Sequence, residues 1–248
     1  AMIEDSDVVV VTAGATRKPG MSRDDLLLMN ATITQKVIQE VRKYAPNAIV
    51  IMVSNPLDAM TYVAIKAGCY PHNQVIGMAG ILDSSRMETF ISQKLGFGYG
   101  QVTASVIGGH GDDMVPLPRY SSVNGVALTD LLSDEEIKEI IELTRQGGAE
   151  IVGYMGTSAY YAPANSIVKM IEAILNDSRA IFPCSVLLEG KYGYNNTVNG
   201  VPVVLGANGV EKILELPLNL EEQQQFAKSV NSVENLLDTL RKNNFFAS

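Results

Sequence analysis

The sequence predicts an α/β fold in which a parallel sheet covered by helices is followed by an α+β domain. Three short apolar segments, residues 7–12, 48–53 and 74–78, have the length and β-branching of buried strands. Helical hydrophobic patterns separate these segments, and such alternation is typical of parallel βαβ units. The composition, with 46% hydrophobic residues, is sufficient for a packed core. We therefore expect a doubly wound parallel sheet of the Rossmann type in the first part of the chain.

The helices of this first part carry end signals. Ser22 and Asp25 have the spacing of a capping box, which predicts a helix start. The apolar face of this helix is expected to contain Ile33, Val37, Val41 and Tyr44. Asn55 is interpreted as the N-cap of the next helix, with Pro56 at its first position and Gly68 at its end.

The later part has a different pattern. A third helix is predicted after Asp83, ending at Gly96, with an apolar face of Met87, Phe90, Ile91 and Leu95. Strands are predicted at residues 102–107, 179–188 and 201–205, and one long helical stretch at 133–176. The C-terminal helix carries a stripe that indicates packing: Phe226, Val230, Val233, Leu237 and Leu240. We place the domain boundary near residue 78, giving units of residues 1–78 and 79–248.

Charge and composition argue against several classes of partner. A net charge of −8 and a pI near 4.8 do not suit a nucleic-acid-binding surface. Two cysteines and two histidines, without C-x-x-C spacing, predict no metal site and suggest a reducing compartment. Neither a membrane-spanning apolar run nor a secretory signal is recognised, so a cytoplasmic location is expected. An anionic small molecule stays possible if a few arginines line one cleft.

Five short segments, in order and at characteristic spacings, resemble the lactate/malate dehydrogenase family. They are Val11-Thr12-Ala13-Gly14 continuing to Arg23, Val53-Ser54-Asn55-Pro56, Leu82-Asp83-Ser84-Ser85-Arg86, Gly109-His110-Gly111-Asp112 and Gly156-Thr157-Ser158-Ala159. The resemblance implies an enzyme that transfers a hydride reversibly between (S)-malate and NAD. The alternative within this class is a dehydrogenase of lactate or another 2-hydroxyacid.

The resemblance assigns proton transfer to His110 and Asp83. A lone histidine is more often structural, but the resemblance implies that His110 takes the hydroxyl proton of the substrate. Asp83 resembles the carboxylate that orients this imidazole and favours its charged form. From its position alone, Asp83 is also expected to cap the third helix, and the two roles are compatible.

Three arginines and one asparagine match substrate-binding positions of the family. Arg86, alone an ordinary surface arginine, resembles the group that grips the substrate C1 carboxylate. Arg23 belongs to a segment, otherwise interpreted as a mobile surface loop, that resembles a lid delivering this arginine to the substrate carbonyl. Arg17 falls where the family discriminates substrates, and a cation there matches a second carboxylate. Asn55 resembles the asparagine that binds the substrate oxygen.

The remaining matches lie on the cofactor side, and Thr157 and Ser158 resemble a small-residue wall near the substrate. The resemblance implies NAD contacts from two segments and one helix residue: Thr12, Ala13, Gly14, Asn30, Val53, Ser54 and Asn55. A homo-oligomer, dimer or tetramer, is also expected.

The sequence departs from the family pattern at its start. No G-x-G-x-x-G turn and no following ribose-binding acidic residue precede the first strand, so roughly 60 to 70 residues of the pattern are absent. The second functional alternative is therefore that a polypeptide of these 248 residues alone is a catalytically silent remnant that does not bind the dinucleotide.

Overall fold

A computed structural model describes residues 2–16, 20–98, 100–155 and 160–246, with backbone only for residues 148–155. Its helices are α1 (Arg23–Tyr44), α2 (Leu57–Gly68), α3 (Gly80–Leu95), α4 (Leu128–Leu131), α5 (Asp134–Met155), α6 (Tyr161–Leu175) and α7 (Leu220–Lys242). Its strands are β1 (Val8–Val11), β2 (Ile49–Met52), β3 (Val75–Gly77), β4 (Val102–Thr103), β5 (Val106–Gly108), β6 (Met114–Pro116), β7 (Ser122–Val123), β8 (Val126–Ala127), β9 (Ala180–Glu189), β10 (Asn195–Gly206) and β11 (Gly209–Ile213). In these parts of the chain, no helix has the length and apolar character needed to cross a membrane.

One six-stranded sheet organises the described structure, in the order β1-β2-β3-β9-β10-β11. The first three strands are parallel, as predicted. The hairpin of β9 and β10 joins them antiparallel, through Gly77 opposite Ser185. The predicted α/β class is therefore confirmed, whereas the boundary near residue 78 stays a prediction, since strands from both sides of it share this sheet.

Both faces of the sheet are covered, as a doubly wound arrangement requires. Val50 and Met52 of β2 pack in a cluster with α1, α2 and α7. Ile49 and Ile51 point the other way, into a cluster with α3, α6 and the long hairpin. Successive side chains of this fully buried strand thus point to opposite faces of the sheet and pack in two hydrophobic cores.

Helix α1 begins as predicted, but its buried face is different. Ser22 Oγ accepts a hydrogen bond from Asp25 N at 3.0 Å, and the Asp25 carboxylate accepts one from Ser22 N at 3.1 Å. The buried positions are Leu27, Asn30, Ala31, Thr34, Ile38 and Val41. Of the predicted face only Val41 is buried, and Ile33, Val37 and Tyr44 are half-buried. The prediction was wrong because contacts with distant segments bury the polar Asn30 and Thr34, so the buried face runs along a different side of the helix, beside Leu27 and Ile38.

Two predicted helix starts are also wrong. Helix α2 begins at Leu57 and Pro56 occupies the cap position, so Asn55 does not cap it. Helix α3 begins at Gly80, which places Asp83 inside the first turn rather than at the N-cap. A Cβ at Gly80 would collide with the Val106 carbonyl oxygen, so the start of α3 lies against β5 at a distance only glycine permits. The end of α3 at Gly96 is confirmed.

The later part is more divided than predicted. The stretch 102–107 forms two strands, β4 and β5, and the stretch 133–176 forms two helices, α5 and α6. Phe90 and Leu95, expected on the buried face of α3, are half-buried beside the fully buried Met87 and Ile91. The C-terminal stripe is confirmed, since all five of its residues are buried.

Candidate active site

The carboxyl ends of the parallel strands open at one edge of the sheet. Residues 12–14 follow β1, residues 53–55 follow β2, and β3 leads directly into α3. Ligands of open α/β sheets bind in the crevice outside such strand ends. This edge therefore positions the site.

Hydrogen bonds from two buried side chains fix the segment after β1 and the segment after β2. Ser54, buried behind the exposed Asn55, donates through Oγ to the Ala13 carbonyl at 2.6 Å. Asn30 of α1 is buried, and its Oδ1 accepts from Ala15 N at 2.7 Å. Its Nδ2 donates to the carbonyls of Ala15 at 3.2 Å and Asn55 at 2.7 Å. Asn30 thus ties the segment after β1 to the segment after β2.

His110 lies in a tight turn between β5 and β6. Gly108 and Gly111 both have positive φ values, 87° and 111°, in the region that favours glycine. A Cβ at Gly200 of β10 would collide with the Gly108 carbonyl oxygen, so the turn also rests closely on the sheet. The side chain of His110 is 16% exposed.

Asp83 joins His110 to Arg86, as the resemblance implies for the first pair. His110 Nδ1 lies 2.9 Å from Asp83 Oδ2, and Arg86 Nη1 lies 3.0 Å from Asp83 Oδ1. The Asp83 side chain is only 1% exposed, so both contacts are shielded from water. When Nδ1 donates to Asp83, Nε2 is the basic nitrogen and is left for a ligand. The three residues therefore form one charged unit.

The surroundings of His110 favour its charged form. Burial alone would lower the pKa of His110, but the carboxylates of Asp83 and Asp58 raise it by more, and the Arg86 charge opposes them only weakly. The net effect raises the pKa above the usual value for histidine. An imidazole held by a carboxylate in this way can accept a proton at Nε2 and return it.

Arg86 faces a cleft of about 300 Å³ lined also by Phe90 and Asn165. Its side chain is 14% exposed, and its buried Nε has no hydrogen-bond partner among the described residues. A buried guanidinium N–H without a partner is costly unless a ligand accepts from it. A carboxylate is the ligand whose geometry suits such a group.

Sequence reasoning missed three polar residues beneath His110. Asp58 Oδ2 accepts from His110 N at 3.0 Å, Ser185 Oγ donates to Asp58 Oδ1 at 2.5 Å, and Gly109 N donates to Ser229 Oγ at 2.6 Å. Asp58 could have been suspected, because it is a carboxylate inside an otherwise apolar helix start. Nothing in the sequence pattern marks the two serines.

The other predicted substrate residues are not brought into this unit. Arg23 is exposed in the first turn of α1, and no contact joins it to His110 or Asp83. Arg17, Thr157 and Ser158 lie outside the described residues. Thr12, Gly14 and Asn55 are exposed at the strand ends, while Ala13 and Val53 are half-buried there.

Comparison with known proteins gives concordant results. Residues 1–77 match the model of the lactate/malate dehydrogenase NAD binding domain, and residues 81–244 match that of the α/β C-terminal domain. The malate dehydrogenase of Sulfurimonas denitrificans is 63% identical over 99% of this chain and 77% of its own length.

Solved structures agree in fold. The malate dehydrogenase of Aeropyrum pernix has 47% identity and a TM-score of 0.91, covering 96% of this chain and 77% of that one. The Plasmodium falciparum enzyme, solved in complex with NADH, has 40% identity and a TM-score of 0.89, covering 97% and 78% of the two chains. The chain thus spans a little over three quarters of the length of these relatives.

Proposed function

The chain belongs to the lactate/malate dehydrogenase family, and from that premise we propose that its site transfers a hydride reversibly between (S)-malate and NAD, giving oxaloacetate and NADH. The observation that carries this proposal is the buried chain of contacts from His110 through Asp83 to Arg86. It combines a proton acceptor with a carboxylate-binding cation, the two groups that the protein itself would supply for oxidation of a 2-hydroxyacid. The relatives described above are all malate dehydrogenases, and neither alternative of the sequence analysis finds support among them.

His110 is the proton acceptor and donor in this mechanism. Nε2 of the neutral imidazole accepts the hydroxyl proton of malate during oxidation and returns it to the carbonyl oxygen during reduction. Asp83 holds the ring through Nδ1 and stabilises the imidazolium that forms. Because Asp83 is buried and already bonded to Arg86, the imidazole keeps one orientation through both directions of the reaction.

Arg86 orients the substrate. Its Nε–H, which has no partner among the described residues, is available to bind the C1 carboxylate, while Nη1 stays bonded to Asp83. The same aspartate therefore fixes both the base and the group that places the reacting carbon beside it. Asn55 and Arg23 are proposed to contact the substrate oxygen, Arg23 on closure of the lid, residues 12–25, that the family resemblance implies.

The residues at the strand ends fit the nicotinamide end of NAD. Thr12, Gly14 and Asn55 are exposed where β1 and β2 end, and their backbone is held rigid by Asn30 and Ser54. NAD supplies the hydride acceptor when bound there. We propose contacts from Thr12, Ala13, Gly14, Val53, Ser54 and Asn55, and an indirect role for Asn30, whose amide is engaged with the backbone of Ala15 and Asn55.

Substrate preference tests this function. With NADH as the reductant, kcat/KM for oxaloacetate should exceed that for pyruvate by about a thousandfold. The resemblance implies that Arg17 pairs with a second carboxylate of the substrate, which oxaloacetate has and pyruvate lacks. Steady-state rates at 340 nm with each ketoacid measure this ratio. A ratio near one, or a preference for pyruvate, would assign the protein to the lactate-type alternative instead.

The assembly and location of the enzyme are further parts of the proposal. Helix α6 and the start of β9 expose four large hydrophobic side chains, which suit burial between subunits of a homo-oligomer: Tyr161, Val168, Leu175 and Ile181. Both cysteines are free thiols, in keeping with the cytoplasm. Sedimentation of the purified protein would give the number of subunits.

A further inference from the structure

We propose that Asp58 is a positioning residue for His110: with Ser185 it forms a buried carboxylate anchor that fixes the His110 peptide and provides a second negative charge for its imidazolium. This inference rests on the proposed function, in which His110 carries the proton. It concerns a residue that the mechanism above does not use.

The geometry places Asp58 directly beneath the catalytic turn. Its side chain is 5% exposed, Oδ2 accepts from His110 N at 3.0 Å, and Oδ1 accepts from Ser185 Oγ at 2.5 Å. A Cβ on Gly109 would lie only 3.3 Å from Oδ2, so the turn is packed against the carboxylate. Helix α2, strand β9 and the turn thus meet at one buried group.

Asp58 has no lysine or arginine partner within the described ranges, although it is buried. Burial raises the pKa of Asp58, and the hydrogen bonds from Ser185 and His110 oppose that effect. A buried carboxylate without a cation is costly, and the cation whose charge stabilises it is His110 in its protonated form. The charge of Asp58 is therefore best compensated when His110 holds the proton.

The other groups around His110 allow the effect of the Asp58 charge to be separated from the effect of anchoring the turn. Helix α3 contributes Asp83 and Arg86, which act on the ring directly. Helix α7 contributes Ser229, whose hydroxyl accepts from Gly109 N, and the apolar Val233. On the outer side of the turn Lys228 lies 3.9 Å from Asp113, and Asp112 is exposed. Ser229 is therefore an uncharged anchor of the same turn, matched to the charged anchor Asp58.

An NMR titration tests the proposal without relying on activity. The chain has two histidines, His72 and His110, so the imidazole carbons of labelled protein give two titration curves. In Asp58→Asn the midpoint of His110 should fall by at least about half a pH unit, because the substitution keeps the shape but removes the charge. In Ser229→Ala the midpoint should stay where it is. The second set of signals belongs to His72, which lies on the surface beside Glu189.

Kinetics give a second readout. In Asp58→Asn the acid limb of kcat/KM for malate oxidation should move to lower pH with the NMR midpoint, whereas Ser229→Ala should lower the rate without moving the limb. If Asp58→Asn does not fold, Ser185→Ala decides. This substitution removes a hydrogen bond that lowers the pKa of Asp58, so the carboxylate is less fully charged. The His110 midpoint should therefore fall, by a smaller amount than in Asp58→Asn.

Several outcomes would overturn the proposal. They are an unmoved His110 midpoint in Asp58→Asn, an equal shift in Ser229→Ala, or, where Ser185→Ala is the deciding variant, an unmoved midpoint there. Failure of the proposed function gives a different pattern. The His110 midpoint would then respond to Asp58→Asn, while the wild-type enzyme would fail to oxidise malate.

Discussion

Replacing His110 by Gln is expected to lower kcat/KM for malate oxidation by a factor of about 10² to 10⁴, the usual contribution of a general base. Glutamine keeps the polarity and approximate size of imidazole but cannot take the proton, and it leaves Asp83 and Arg86 as a pair. The binding of NADH should change little, because the proposed cofactor contacts lie at the ends of β1 and β2.

The matched control is His72→Gln, which alters the other histidine of the chain. His72 is exposed and 3.0 Å from Glu189, and it does not belong to the turn that carries His110. Its replacement should leave kcat/KM within about twofold, as is usual for surface substitutions. Equal losses in the two variants, or a loss of less than tenfold in His110→Gln, would show that His110 is not the base.

Replacing Arg17 by Gln is expected to shift the ratio of kcat/KM for oxaloacetate to that for pyruvate by several powers of ten, roughly a thousandfold. The resemblance places this cation against the second carboxylate of the substrate. Without it, oxaloacetate brings an unpaired charge into the site, and pyruvate no longer leaves an arginine unpaired. Lys18→Gln removes the same charge one residue later and is the control, with an unchanged ratio expected. A shift of less than tenfold in Arg17→Gln would contradict the assignment.

Much of the fold was predictable because its signals are local. The run of β-branched residues from Val8 to Val11 correctly predicts a strand, although only Val11 is buried and the other three are half-buried, and Ser22 with Asp25 predicts the start of α1. The buried face of α1 was not predictable from hydrophobicity, because Asn30 and Thr34 are buried through contacts with distant segments. Asn30 bonds to the carbonyl of Asn55, which is 25 residues away.

The candidate site likewise has a part that could be predicted from the sequence and a part that could not. The resemblance drew attention to His110, Asp83 and Arg86, and the structure places them together. It gave no reason to examine Asp58 or Ser185, whose partners lie 52 and 127 residues away in sequence. Such contacts depend on how β9 adds to the parallel strands and how the turn after β5 packs on α2. Neither arrangement leaves a pattern in the sequence.

The measurement that most directly tests the account is the pH dependence of kcat/KM in both directions, for the wild-type enzyme and Asp83→Asn. Oxidation needs neutral His110, so its rate should fall as pH drops below the raised pKa of His110. Reduction needs the charged form, so its rate should fall as pH rises through the same value. The two limbs should share one midpoint.

Asp83→Asn removes the neighbouring charge that contributes most to raising the pKa of His110, so both limbs should move together to lower pH, with a lower kcat. Limbs with unrelated midpoints, or limbs that Asp83→Asn leaves in place, would mean that another group carries the proton and that the unit of His110, Asp83 and Arg86 is not the catalytic centre.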